Sequence, residues 1–202
     1  MPFTPSAIAA LIVAASFAAG LNVYATVATL GILAHIHWVT LPTGLHSLSN
    51  PWIIAVSSLL FFVEVFADKI PAFDLVWNAA HTFIRVPVAA LLAYQTAAQL
   101  SPEMKLLAAV IGALIAGIAH TSKTAARAIV TPSPEPLSNI SLSAGEDVAA
   151  ISLTWLATHR PYTAAAIATA AILFLLLSLR WVSARIMRRF RRPPAASSPS
   201  VG

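Results

Sequence analysis

Long apolar stretches recur from one end of this sequence to the other, and they limit its fold more than any motif does. They cover residues 5–35, 51–68, 72–99, 103–130, 140–158 and 162–185. The hydrocarbon core of a bilayer takes about 20 apolar residues per helix. Within it, only helices and closed barrels satisfy every backbone group. These runs are rich in Ala and Leu and do not alternate polar with apolar, so they read as helices. Charged residues make up 9% of the chain, against roughly a quarter in a soluble domain. The expected fold class is therefore all-α: a polytopic membrane helix bundle of about six transmembrane helices. Residues 1–192 form one transmembrane domain, and the Pro/Ser-rich residues 193–202 form a disordered tail.

The first run has no Lys or Arg before it and is too long for a signal-peptide core, so it reads as a retained helix. The sequence has no cysteine, which excludes disulfides, thiolate metal sites and cysteine nucleophiles. The net charge of +5 comes mostly from Arg180, Arg185, Arg188, Arg189, Arg191 and Arg192. A cluster of that kind after an apolar helix marks a cytoplasmic end, and nucleic acid is not an expected partner. Six spans then place both the N- and C-termini in the cytoplasm, in an inner membrane. Lys69, Arg85, Lys123 and Arg127 fall on the inner side, and Lys105 and Arg160 on the outer.

Two polar stripes interrupt the apolar pattern. Asp74, Asn78, His81 and Arg85 share one face of the third helix, and His120, Lys123, Thr124 and Arg127 share one face of the fourth. Glu64 and Asp68 lie on one face at the end of the second helix, and Glu146 and Asp147 lie within the fifth. The first helix carries Asn22 and Tyr24 after Gly20. Asn22 reads either as a helix–helix hydrogen bond in a small-residue seam or as a weak point lining a cavity. His35, His37 and His46, in the following loop, read as interfacial histidines. Isolated charges in hydrocarbon are costly, so the ionisable groups should face one another or a wet cavity.

The halves resemble each other. AAGLNVYATVATL around Gly20 aligns with IAGIAHTSKTAAR around Gly117, and Leu48-Ser49-Asn50 recurs as Leu137-Ser138-Asn139. Two units, 5–100 and 101–186, with three helices each would be inverted with respect to one another, as in many transporters.

GLNVYATV, SNPW, ADKIPAFDLVWNAAHTFIR and SPEPLSNISLSAGED, which stand between Gly20 and Asp147, resemble the bacterial membrane family called domain of unknown function 4126. The resemblance implies a compact multi-helix membrane protein; it implies no activity and assigns no residue a role.

The residues support a transporter or flippase, proton-coupled, for an anionic solute or lipid headgroup. Arg85, Lys123, Arg127, Asn22, Tyr24 and Asn78 would bind the substrate. His81, Asp74, Glu64, Asp68, His120, Glu146 and Asp147 would relay the proton. An intramembrane metal protein or enzyme would use Glu64, Asp68, His81, His120, Glu146 and Asp147 as ligands. Arg85, Lys123 and Arg127 on the same faces oppose a cation, so no metal or cofactor is expected. A third reading is a structural subunit with a closed ion-pair network. The expected partners are membrane lipids and the anion, with a homo-oligomer left open.

Overall fold

Prolines punctuate the helices. A computed structural model describes residues 3–67, 71–130 and 136–190, and for 71–80, 125–130, 136–139, 182–183 and 185–190 it describes the backbone alone. Its α-helices are α1 Pro5–Leu21, α2 Val23–His35, α3 Pro51–Ala67, α4 Pro71–Thr96, α5 Pro102–Val130, α6 Pro136–His159 and α7 Pro161–Phe190. All except α2 begin on proline, whose missing N–H is no loss in a first turn and whose φ suits a helix. A 3₁₀ turn, Thr43–Ser49, precedes α3. The described residues contain no strand, so the chain is all-α.

The single helix expected over 5–35 is instead two, divided at Asn22. That residue is extended, with φ −149° and ψ 105°. Its N–H ends α1 on the Ala18 carbonyl at 2.9 Å, and its side-chain oxygen accepts from Ala25 N at 2.9 Å, capping α2. The two arms run in opposite senses. Along α1, Ile8 clusters with Ala97 and Ala108, Ser16 lies at Gly112, and Gly20 lies against Ala116 and Ala119. So α1 runs parallel to α5 and antiparallel to α4. Along α2, Tyr24 meets His81, whereas Leu30 clusters with Ala89 and Leu92. Beside α6, Asn22 meets Asp147 and Thr26 meets Thr154. So α2 runs parallel to α4 and α6, back toward the level at which α1 began. The arms form a helical hairpin with Asn22 at its tip.

This reversal moves the N-terminus. Ser6 Oγ is 2.9 Å from Tyr162 Oη at the start of α7, and α7 continues for 30 residues away from that point. The start of α1 and the end of α7 therefore lie at opposite ends of the bundle.

Other boundaries moved less. Helix α6 begins at Pro136, ahead of the run expected from 140, and α7 extends to Phe190. Residues 131–135 and the tail 193–202 lie outside the described residues.

The core holds small and aliphatic side chains in three clusters, but it also holds charges, while the largest apolar side chains face out. Asn22, Glu64 and Arg85 are 0% exposed, while Trp52 is 79%, Phe83 82% and Phe174 69% exposed. In α3 the buried residues are Ser57, Glu64 and Ala67, and the helix turns Leu59, Phe62 and Phe66 outward. A soluble fold buries such side chains and solvates its charges. Pro102–Thr124 and Pro161–Trp181 are long and apolar enough to cross a membrane, and the 3₁₀ turn with α3, bent by 71°, meets the same test as a pair. At the centre stands α1, which packs on α4, α5, α6 and α7. Its small residues permit that approach: a Cβ on Gly20 would stand 2.7 Å from both the Ala116 carbonyl oxygen and the Ala119 Cβ.

Candidate functional site

The hairpin tip ends inside the bundle, and the buried charges gather around it. Glu64 comes from the last turn of α3, His81 and Arg85 from α4, His120 and Lys123 from α5, and Glu146 and Asp147 from α6. Each helix brings its group inward on the face that packs against its neighbours, while large apolar side chains such as Phe62 of α3 and Phe83 of α4 face outward. His81 is 2%, His120 4%, Lys123 4% and Asp147 7% exposed.

Arg85 Nη2 donates to Glu64 Oε1 in a buried ion pair. Lys123 Nζ is 2.8 Å from Glu146 Oε2 and 3.8 Å from Glu64 Oε1. Glu64 thus lies between both cations. Arg85 Nη1 donates to His120 Nδ1 at 2.9 Å. A guanidinium only donates, so His120 is neutral at Nδ1 and carries its proton on Nε2, which donates to Thr82 Oγ1 at 2.8 Å. His81 Nε2 is 3.0 Å from the Tyr24 hydroxyl.

The hairpin adds fixed dipoles. The C-terminal carbonyl of α1, on Leu21, accepts from Lys123 Nζ at 3.4 Å. At the N-terminal end of α2, Asn22 Nδ2 donates to Asp147 Oδ1 at 2.8 Å. A cation at a helix C-terminus and a carboxylate beside a helix N-terminus are both favoured electrostatically. Neither helix end is left without a partner, so the interruption is stable at that depth.

Ten side chains from α2 to α6 and the tip therefore gather here: Glu64, Thr82, Arg85, His120, Lys123 and Glu146 in one bonded set, with the Asn22–Asp147 and Tyr24–His81 pairs beside it. Of the residues expected to act, Asn22, Tyr24, Glu64, His81, Arg85, His120, Lys123, Glu146 and Asp147 come together. Asp68 lies outside the described residues, as do the side chains of Asp74, Asn78 and Arg127. Asn22 both breaks the helix and bonds to another, Asp147 of α6. Glu146 and Asp147 do not serve the N-terminus of their own helix, which starts at Pro136. Sequence reasoning missed Thr82, Thr26 and Thr154. Single threonines in an apolar helix carry no pattern, because they also back-bond harmlessly, as Thr154 does to Ala150 O at 2.6 Å. His35 and His46 bond the backbone carbonyls of Ser49 and Leu41 at the opposite end of α2.

Among the described residues no three His, Asp or Glu side chains gather in a ligand set. Arg85 and Lys123 stand between the carboxylates instead.

Buried charges, an apolar exterior and a helix folded back into the charged region make an all-α bundle compatible with a lipid-facing surface. The chain belongs to the family described as Domain of unknown function (DUF4126), whose match covers residues 9–181. No curated protein and no solved structure matches it.

Proposed function

We propose that this protein is a small, proton-coupled membrane transporter or flippase for an anionic solute or lipid headgroup, with its site at the tip of the α1–α2 hairpin. One observation carries the reading: the two cations suited to hold an anion, Arg85 and Lys123, are already held by Glu64 and Glu146. Protonating Glu64 removes a negative charge from between them. An incoming anion then restores the balance, so one proton and one anion enter together without net charge. His120 and His81 adjoin the exchange, the first through Arg85 and the second through Tyr24. Discontinuous helices whose ends face the substrate are a recurring transporter device. Buried ion pairs are also a poor way to hold helices together, since apolar replacements serve as well or better.

Proteoliposomes with an inward proton gradient test this. Uptake of a small anion should fall about tenfold or more in Lys123→Gln, because a desolvated cation is replaced, and Glu64→Gln should retain uptake but lose its dependence on the gradient. Equal, gradient-dependent uptake by wild type and both variants would rule the mechanism out.

The packing also supports a topology. Seven helices alternate in direction, the Arg-rich end lies in the cytoplasm by the positive-inside rule, and the N-terminus lies on the outer side with Lys105 and Arg160. Within this arrangement α3 and α6, and likewise α4 and α7, run in opposite senses, as inverted units require; α1 runs with α5 and stands apart from the pairing. Because the chain has no cysteine, single cysteines at Ser6 and Ser197 report the two ends. An impermeant maleimide added outside should label the first and spare the second; labelling of neither would return the N-terminus to the cytoplasm.

A second reading, a structural subunit, is favoured by the carboxylate partner that each of Arg85 and Lys123 has. Lack of uptake in every condition, with wild-type folding, would select it.

A further inference from the structure

A groove of about 390 Å³ runs beside the network, between α2, α3 and α4. Its walls are Val23, Tyr24 and Val27 from α2, residues from Trp52 to Leu60 of α3, and Val88 of α4. Those walls are apolar by construction. Ser57 spends its hydroxyl on the Ile53 carbonyl of its own helix at 2.7 Å. Tyr24 presents its ring to the groove, while its hydroxyl leaves to bond His81 at 3.0 Å. The rim residues Trp52, 79% exposed, and Val56, 53% exposed, belong to the outward apolar face of α3.

The two ends of the groove differ. One reaches Trp52 near the start of α3. The other stops at Tyr24, Leu60 and Val88; one turn past Leu60 and Val88 stand Glu64 and Arg85, and His81 takes the Tyr24 hydroxyl. From Trp52 to Leu60 is about 12 Å along the helix. Helix α3 lies along α2 and the 3₁₀ turn and meets α4 more sparingly; Glu64, near its last turn, ties it to Arg85.

We propose that this groove holds one acyl chain of a membrane phospholipid whose anionic headgroup competes with Glu64 for Arg85 and Lys123. A hydrocarbon tail suits walls that offer no polar group, and a phosphate suits a guanidinium with an ammonium nearby. A lipid of the cytoplasmic leaflet already has the required direction, headgroup toward the network and tail toward the level of Trp52. Entry of the headgroup parts Glu64 from Arg85 and so releases α3 from α4. The site deepens the transport reading by naming a lipid as the substrate class, and the direction of the tail rests on that reading's topology.

The test uses the full chain in phosphatidylcholine nanodiscs doped with a phospholipid carrying a photoactivatable group in mid-chain, in either phosphatidylglycerol or phosphatidylcholine form. Crosslinks should concentrate on Val27, Val56 and Val88 rather than on the outward Phe174 and Leu177 of α7. The phosphatidylglycerol probe should label about tenfold more strongly, the scale of one or two cation–lipid attractions. Val56→Trp, which fills the rim, should remove the labelling. The neutral pair Glu64→Gln/Arg85→Gln should keep tail labelling and lose the headgroup preference. Even labelling over α7, equal labelling by the two probes, or labelling untouched by Val56→Trp overturns the proposal, as does a crosslink joining two copies of the chain through the groove. If the groove stays unlabelled while wild type takes up inorganic phosphate, the lipid site falls and the transport reading stands. If the groove labels as described but neither phosphate nor lipid moves across the bilayer, the site stands and the transport reading falls.

Discussion

Arg85→Ala should destabilise the protein by about 3–5 kcal/mol, the usual cost of leaving one member of a buried ion pair alone. Glu64 is 0% exposed, so no solvent replaces the lost guanidinium. Lys123 Nζ, 3.8 Å away, compensates in part, which places the expectation toward the lower figure. His120 Nδ1 loses its donor as well. The double variant Glu64→Leu/Arg85→Met removes both charges and fills much of the space, and it should return to within about 1–2 kcal/mol of wild type. Thermal unfolding in detergent, followed by tryptophan fluorescence, measures both. A single variant that melts with wild type would mean that the pair is not buried in the folded protein. A double variant as unstable as the single would mean that the loss comes from packing alone.

Asn22→Leu should cost about 2–4 kcal/mol, from a lost helix cap and a buried carboxylate deprived of its donor. Leucine keeps the side chain's size but neither accepts from Ala25 N nor donates to Asp147. Asn22→Asp separates the two contributions. It retains the cap, yet sets one carboxylate against another, and like charges in a dry site cannot both ionise comfortably. The exchange Asn22→Asp/Asp147→Asn restores an acceptor for Ala25 N and an amide donor across the gap. Its melting temperature should therefore recover most of the loss. If Asn22→Asp alone is as stable as wild type, the contact with Asp147 is unimportant and the cap does all the holding.

These two sites also divide what a reader of the sequence can find from what escapes notice. His81 and Arg85 were legible because 3.6-residue spacing puts them on one face and the neighbouring residues are too apolar to leave that face in water. Their partners were not. Glu64 lies 21 residues from Arg85 and Asp147 lies 125 from Asn22; several carboxylates were equally eligible, and only helix packing chooses among them. The hairpin was harder still. Six helices announce themselves with proline at the first position, whereas α2 begins after Asn22 with no proline. A Gly-Leu-Asn step inside an apolar run fits a stop and a new cap, since asparagine favours N-caps. The same step equally fits a continuous helix with one interhelical hydrogen bond.

The sequence by itself determined that the chain is helical, that its apolar side chains outnumber any interior able to hold them, and that its few charges must meet one another. Composition and periodicity act locally, and they sufficed. Only the tertiary structure decided that the first apolar run doubles back at Asn22, that α1 begins and α7 finishes at opposite ends of the bundle, and that Glu64 stands between Arg85 and Lys123. Reversal needs Lys123 for the end of one arm and Asp147 beside the start of the other. Those groups arrive on separate helices, so no local stretch of sequence contains the energy that decides it.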